Sequence, residues 1–208
     1  MNNENQIIRK DAKSCFVEVL NDSFGIGKIH MNFAAYDVSR PEGQRQTDSV
    51  HIYLAVDEFL ELCRKLCCGE LRYLIQAKRK NGDKAPVFQS LGGTQAEKLK
   101  RMERARGDGM SLSRTFQIYA GVKTDFLLVA ESGPGAVTEK GLIVPKFGNK
   151  PENHVAIAMT FENFSGLLLS TKEHYSAWLT AQYLSAPKVQ QLKKNKQKDV
   201  EEEFFSMS

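Results

Sequence analysis

Two stretches of the chain, 105 residues apart, carry the same alternation of apolar and polar positions. They are residues 50–59 and 155–164. In both, apolar side chains recur at every second position, which is typical of a β-strand with one buried face. An acidic residue follows each strand, Asp57 in the first copy and Glu162 in the second. Acidic residues suit the first turn of a helix, because the free backbone N–H groups there favour negative charge.

The helices predicted after these strands keep the same register. Their apolar residues fall on one face at spacings of three and four, and equivalent positions remain 105 residues apart. These positions are Phe59, Leu62, Cys63, Leu66, Tyr73 and Leu74 in the first helix, and Phe164, Leu167, Leu168, Thr171, Trp178 and Leu179 in the second. Gly69 is expected to kink the first helix, and Pro187 to end the second. Strand phase, junction and helix phase agree, so the sequence predicts an internal duplication.

Further strands are predicted upstream of each strand–helix unit. They are residues 15–20 and 28–38 in the first half, and residues 115–122, 125–130 and 141–147 in the second half. Residues 131–136, rich in glycine and proline, are predicted to form a loop between the last two strands. Antiparallel strands covered by one helix leave one sheet face buried and the other free. The predicted fold class is therefore α+β, with two tandem repeats of antiparallel strands followed by a long amphipathic helix.

This pattern divides the chain into five predicted segments. They are a polar N-terminal arm at 1–13, the first repeat at 14–80, a basic connecting segment at 81–112, the second repeat at 113–186, and a disordered charged tail at 187–208. Within the connecting segment, residues 86–93 indicate a short strand of either repeat. Residues 94–106 indicate a helix with Thr94 as its N-cap and Glu97 three residues later. The chain shows no secretion signal and no apolar run of membrane-spanning length, so we expect a cytoplasmic protein without membrane association.

Charge and cysteine content narrow the class of partner. Residues 78–114 hold ten basic and four acidic side chains, a net charge of +6 in a chain whose total is +4. Such a concentration indicates a surface that binds a polyanion. The cysteines are Cys15, Cys63, Cys67 and Cys68. Their spacing suits neither a disulfide framework nor a zinc site, so we expect small buried side chains, no metal and no cofactor.

Motifs that carry catalysis are not recognisable in this sequence. It contains no phosphate-binding lysine loop, no zinc-protease helix, no serine-hydrolase elbow and no paired CxxC. The pair Gly25 and Gly27 is too short for a dinucleotide fingerprint and is not followed by a predicted helix. We therefore expect a binding protein and not an enzyme.

A sheet of about four strands with a trailing helix, present twice in one chain, resembles the PC4/Whirly/PUR family of single-stranded nucleic-acid-binding proteins. The resemblance rests on residues 50–66 and 155–169, where a strand leads directly into a helix that opens with acidic-x-Phe-x-x-Leu/Cys. It implies that the free sheet face meets the bases of a single strand.

Binding a single strand without base specificity requires stacking surfaces and a track of positive charge. Aromatic side chains on the polar phase of the strands, together with basic residues at strand ends and in the connecting helix, supply candidates for both. The candidate binding residues are Lys28, Tyr36, Arg45, His51, Tyr53, Lys98, Arg101, Arg104, Arg114, Tyr119 and Lys123. The first copy has His51 and Tyr53 where the second has Ala156 and Ala158, so we expect more stacking on the first copy.

The C-terminal tail carries an acidic and aromatic sequence, Glu201, Glu202, Glu203, Phe204 and Phe205. It is similar to the tails of bacterial and phage single-strand-binding proteins, which implies recruitment of protein partners. The leading hypothesis is a protein that binds single-stranded DNA, or RNA, in DNA metabolism, with a phage or mobile element as a candidate source. The alternative is a protein-interaction or scaffold module with no nucleic-acid ligand. Assembly into a homo-oligomer is compatible with both.

Overall fold

The computed structural model describes residues 4–185 and shows an α+β chain with two antiparallel sheets. The first half contains strands β1 (Gln6–Asp11), β2 (Cys15–Leu20), β3 (Lys28–Tyr36) and β4 (Gln46–Ala55), then helices α1 (Val56–Cys67) and α2 (Glu70–Asn81). The second half contains β5 (Phe88–Thr94), α3 (Ala96–Arg101), β6 (Ser111–Ala120), β7 (Phe126–Val137), β8 (Ile143–Pro145), β9 (Asn153–Met159) and α4 (Phe161–Ser185). A 3-10 turn at Phe24–Ile26 precedes β3. The tail residues from Glu201 to Phe205 lie outside the described residues.

The strand order is the same in the two sheets. The first sheet runs β1-β2-β3-β4, each strand antiparallel to the next. In the second sheet β5, β6 and β7 are also consecutive, and β9 pairs with β7 along Phe126–Ser132. The short β8 pairs with the remaining end of β7 and has no counterpart in the first sheet. Each four-stranded meander then leads directly into a helix, β4 into α1 and β9 into α4.

Equivalent positions of the two halves meet in the interior. Phe59 of α1 and Phe164 of α4 are both fully buried, and the inward-facing residues of the two strands are buried as well: Val50, Ile52 and Leu54 of β4, and Val155, Ile157 and Met159 of β9. The Cys63 thiol donates a hydrogen bond to the Leu168 carbonyl at 3.9 Å, and these residues are 105 positions apart. A contact between equivalent residues is expected when two similar units pack around an approximate twofold axis.

The two sheets share one core within the compact unit that ends at Thr171. Phe33 of β3 and Phe116 of β6 lie with ring centroids 5.5 Å apart, and both are buried. At the surface the Asp48 carboxylate accepts a hydrogen bond from the His154 backbone N–H at 2.8 Å. Residues 172–185 of α4 are assigned to a second unit, in which Tyr175 stacks with Trp178 at 5.9 Å.

The second sheet curls into a half-barrel. A Cβ atom on Gly93 of β5 would meet the Ile143 side chain of β8 at 3.0 Å, and one on Gly135 of β7 would meet it at 2.8 Å. Glycine therefore permits the close approach of β5 and β8. Among the described residues, no helix has the length and apolarity needed to cross a membrane.

The structure corrects several local predictions. Residues 6–11 of the predicted polar arm form the edge strand β1, whose exposed side chains hide its strand pattern. Residues 131–136, predicted as a loop, lie in β7. There the ring of Phe147 would be only 2.7 Å from a Cβ on Gly133, so the glycine serves packing and not a turn. The helix predicted at 94–106 is only α3, six residues long.

The cysteine prediction is half confirmed. Cys15 and Cys63 are buried, but Cys67 and Cys68 are exposed at the end of α1. All four are free thiols, and the described residues contain no cluster of His, Cys, Asp or Glu suited to a metal ion. Burial raises the pKa of the Cys15 thiol, which favours its neutral form.

Gly69 divides the predicted first helix into α1 and α2. Its φ is +79°, a left-handed conformation that costs a residue with a side chain about 1–2 kcal/mol. We expect Gly69→Ala to lower the free energy of unfolding by about that amount, measured by urea denaturation. Gly25→Ala is the matched control, because a Cβ there also meets open space and its backbone is not left-handed. Equal losses in the two variants would contradict the conformational explanation.

Candidate nucleic-acid interface

A cleft of about 510 Å³ opens where β5 and β6 of the second sheet face the ends of β3 and β4. All the charged side chains that line it are basic. The lining consists of Ser23, Ile26, Lys28, Ile52, Tyr53, Ser90, Gly92, Gly93, Thr94, Lys98, Met102, Arg104, Arg114 and Phe116. The cleft lies entirely within the compact unit that contains both sheets.

Local structure explains how the basic side chains reach the cleft. Lys28 is the first residue of β3, directly after Gly27 reverses the chain with a φ of +69°. The short helix α3 is anchored by the Ser111 hydroxyl, which accepts a hydrogen bond from the Ala96 N–H at 3.1 Å. This helix carries Lys98. The Arg104 N–H donates to the Leu99 carbonyl, which turns the chain back over the cleft after the helix.

Arg114 of β6 is the most enclosed cation of the cleft. Its Nη1 donates a hydrogen bond to the Thr94 hydroxyl at 2.9 Å, and its Cζ lies 5.7 Å from the centroid of the Tyr53 ring. Burial lowers the pKa of this guanidinium below its ordinary value. No carboxylate of the described residues forms an ion pair with it. Withdrawing a cation from water is costly, so an anion entering the cleft would be bound favourably.

Tyr53 offers less stacking surface than the sequence predicts. The ring of His30 covers one face, with centroids 4.4 Å apart and planes 18° from parallel. The ring keeps 39% of its exposure, and the Arg114 guanidinium lies nearby. A base entering the cleft would therefore contact the tyrosine and the guanidinium together, since both can stack on bases. Burial raises the pKa of the Tyr53 hydroxyl, so it remains a neutral donor at pH 7.

Beside Tyr53, a chain of hydrogen bonds links a carboxylate to two imidazoles. Both carboxylate oxygens of Asp22 lie within 3.0 Å of His30 Nδ1, and His30 Nε2 lies 2.9 Å from His51 Nδ1. His30 is buried, whereas His51 has one side against His30 and is otherwise accessible, so it is only partly withdrawn from water. Burial, followed by the charges of His30 and Arg114, lowers the pKa of His51. The sequence pattern placed His30 and His51 on the polar phase of their strands but did not reveal that they meet.

The structure gathers five of the eleven predicted residues in the cleft: Lys28, Tyr53, Lys98, Arg104 and Arg114. His51 lies next to it on the face that carries Tyr53. Arg101 is exposed at the end of α3, outside the lining.

Tyr36 and Arg45 lie at the opposite end of β3 and β4. Because β3 has eight residue steps between Lys28 and Tyr36, that end is about 25 Å away from the cleft. The Tyr36 hydroxyl donates to the Ala12 carbonyl, and Arg45 Nε donates to the Arg40 carbonyl. Neither side chain is placed to act together with Arg114.

Tyr119 lines a second, more open depression of about 650 Å³ on the second sheet. Lys123 lies in the turn between β6 and β7, at the rim of that region. The depression also contains Val122, which is 99% exposed. Two of its three basic residues are held by neighbours in the depression: Lys78 pairs with Asp83 at 2.7 Å, and Arg79 Nη2 donates to the Gly121 carbonyl at 2.8 Å.

Ion pairs also determine which side chains of the basic segment, residues 78–114, are available to a ligand. Arg106 forms ion pairs with Asp108 at 2.8 Å and with Glu152 at 2.6 Å, so it holds the connecting segment and is not available to a ligand. By contrast, Lys98 and Arg104 form no ion pair within the described range 4–185. Lys98 and Arg104 are therefore available to a ligand of the cleft. Other basic residues of the segment that form no ion pair among the described residues lie outside the lining, and they include Lys80, Lys84, Lys100 and Arg101.

Comparison with known proteins identifies no relative. No protein-family model, curated protein or solved structure matches this chain significantly. The resemblance to the PC4/Whirly/PUR family stays a prediction from the sequence pattern, and the function is inferred from the geometry of the cleft.

Proposed function

We propose that the cleft binds single-stranded nucleic acid, with phosphates held by its basic side chains and a base held beside Tyr53. The observation that carries the proposal is the one-sided charge of the lining. Four basic residues and no acidic residue line the cleft, and the half-buried Arg114 pairs with no carboxylate of the described residues. Such a site favours an anion, and phosphates are anions that arginine binds through two parallel hydrogen bonds.

The size of the cleft favours a single strand over a duplex. A volume of about 510 Å³ is within the range of small-molecule sites. It admits one or two unstacked nucleotides, whose bases can contact an aromatic ring and a guanidinium. Reading a duplex requires a helix or ribbon that enters a groove, and α3, the helix beside the cleft, has only six residues.

The proposed ligand predicts a definite dependence on salt. Each phosphate contact to a single strand contributes a slope of about −0.7 to the plot of log affinity against log salt concentration. Neutralisation of one or two phosphates by the lining cations would thus give a slope of about −0.7 to −1.4. Fluorescence anisotropy of a labelled oligothymidylate with the full chain at several salt concentrations measures it. No binding at low salt, or a slope near zero, would sink the proposal.

The protein-interaction alternative is favoured by a different observation, the apolar lining of the second depression, which includes the exposed Val122 and the partly buried Leu127. It predicts indifference to oligonucleotides and a partner complex that is insensitive to salt. The salt titration distinguishes the two functions, because only nucleic-acid binding releases counterions from the ligand.

A further inference from the structure

The hydrogen-bond chain of Asp22, His30 and His51 determines which nitrogen of His51 carries a proton. An ionised carboxylate only accepts hydrogen bonds, so His30 Nδ1 must donate to Asp22. In neutral His30 the other nitrogen, Nε2, then carries a lone pair and accepts from His51 Nδ1 at 2.9 Å. His51 Nε2 is left with a lone pair, and no side chain of residues 4–185 hydrogen-bonds to it.

Uptake of one proton by the His30–His51 pair changes the hydrogen-bonding role of His51 Nε2. If the proton resides on His51, its Nε2 becomes an N–H donor. If it resides on His30, Nε2 of His30 donates to His51 Nδ1, and His51 must then carry its own proton on Nε2. In both distributions His51 Nε2 changes from acceptor to donor, and the site gains one positive charge.

The groups around His51 set the conditions for this change. Glu18 of β2 and Asp22 favour the protonated form, while His30 of β3 and Arg114 of β6 oppose it. Burial opposes it most, and the net result is a lowered pKa for His51. Neutral His51 is therefore favoured at pH 7, and in the tautomer that Asp22 imposes on a neutral His30 its Nε2 is the free acceptor.

His51 lies close enough to the lining residue Tyr53 to contact a nucleotide bound in the cleft. It lies two residues before Tyr53 on the same face of β4, which separates the two side chains by about 7 Å. Its ring also contacts that of His30, with centroids 5.1 Å apart, and His30 in turn stacks on Tyr53. The acceptor is thus held in a fixed direction beside the proposed position of a base.

We propose that His51 is a specificity residue of the cleft, whose Nε2 accepts a hydrogen bond from a donor on the bound nucleotide, either a base N–H or a ribose 2′-OH. The inference rests on the proposed function of the cleft. Asp22 and His30 act as positioning residues, because they fix the tautomer of His51. When the His30–His51 pair takes up a proton, His51 Nε2 no longer accepts a hydrogen bond from the nucleotide. The added positive charge then strengthens the attraction of the cleft for phosphate.

The experiment compares oligonucleotides that keep shape but lack a donor. Oligothymidylate is compared with its N3-methyl derivative, and oligouridylate with its 2′-O-methyl derivative, by anisotropy at about pH 8 and about pH 5.5. We expect one of the two methylations to raise Kd by about threefold to tenfold at the higher pH and to have no effect at the lower pH. The unmodified oligonucleotide should bind more tightly at the lower pH.

Two variants connect this behaviour to the hydrogen-bond chain. His51→Phe keeps a ring but has no ring nitrogen, so it should abolish the discrimination at the higher pH. Asp22→Asn removes a charge that favours protonation, so the increase in affinity should move to lower pH. His154→Phe is the matched control, because His154 also contacts a carboxylate, Glu131 at 3.0 Å, but lies on the second sheet away from the cleft. It should behave as the unaltered protein.

The outcomes separate this inference from the proposed function. Suppose that the unmodified oligonucleotides bind and that each methylated form has the same Kd as its parent at the higher pH. That result, or discrimination that survives in His51→Phe, overturns the role of His51 and leaves the proposed function standing. Nitrogen-15 NMR of the imidazoles in the free protein is a second test. A protonated Nε2 on His51 at neutral pH would overturn the inference even if no oligonucleotide binds.

Discussion

Replacing Arg114 by alanine is expected to raise the Kd for a single-stranded oligonucleotide by about tenfold to hundredfold. A hydrogen bond between charged groups contributes about 1.5–3 kcal/mol, and it is strongest where water is excluded. Arg114 is the most buried cation of the cleft and pairs with no carboxylate of the described residues. Its charge is therefore available to a phosphate, and its side chain already lies beside Tyr53, where the base is expected.

Two further variants make the result for Arg114 specific. Arg114→Lys keeps the charge but loses the planar fork, so we expect an intermediate Kd. Arg40→Ala removes an exposed arginine near Asp37, at the end of the first sheet far from the cleft, and should change Kd by less than about twofold. Anisotropy titrations of the three variants, after circular dichroism has verified their folds, give the comparison. Equal losses for Arg40 and Arg114 would mean that binding follows net charge and not this cleft.

Local sequence patterns predicted those elements in which the alternation of buried and exposed residues is visible within the element itself. Residues 15–20 form β2 with the predicted bounds. The two strands that lead into helices end at residues 55 and 159, one and two residues before the ends that the alternation predicted. Elements that depend on distant contacts were missed. Gly133 and Pro134 continue β7 because they pair with Ser113 and Leu112 of β6, a long-range pairing that no local pattern shows.

The candidate binding site was also predicted only in part, because local patterns do not show long-range contacts. Residue type and strand phase selected Lys28, Tyr53 and Arg114, but only the fold brings the end of β3 next to β6. Tyr36 satisfied the same criteria as Tyr53 and lies at the other end of the sheet. The relation of His30 to His51 depends on the register of β3 against β4, in which His30 faces Tyr53 directly and His51 diagonally.

The similarity of the two halves offers a reason for the difference between their outward faces. The two copies conserve the buried positions of β4 and β9 because these positions meet in one core. Their outward positions are free to differ, and His51 and Tyr53 of the first copy correspond to the exposed Ala156 and Ala158 of the second. A duplicated scaffold with a single specialised face is the simplest account of this difference.

Replacing Phe33 by alanine is expected to lower the free energy of unfolding by about 3–5 kcal/mol, the largest effect on stability that we predict. Phe33 is completely buried, and its ring contacts Phe116 of the other sheet. Removing the ring leaves a cavity at the point where the two sheets meet, and strands on both sides limit its collapse. Urea denaturation followed by near-ultraviolet circular dichroism, which reports on the packed aromatic side chains, and by far-ultraviolet circular dichroism, which reports on secondary structure, measures the loss.

The shape of the unfolding transition is as informative as its midpoint. If the sheets share one core, Phe33→Ala should shift a single transition, with both probes still coincident. Phe16→Ala is the matched control, because Phe16 lies on the same sheet but is only partly buried, with Arg9 placed 3.6 Å above its ring. Its loss should be about 1 kcal/mol or less. Two separate transitions, only one of them moved by Phe33→Ala, would show that the two halves unfold independently and that the cleft between their sheets is not held by a common core.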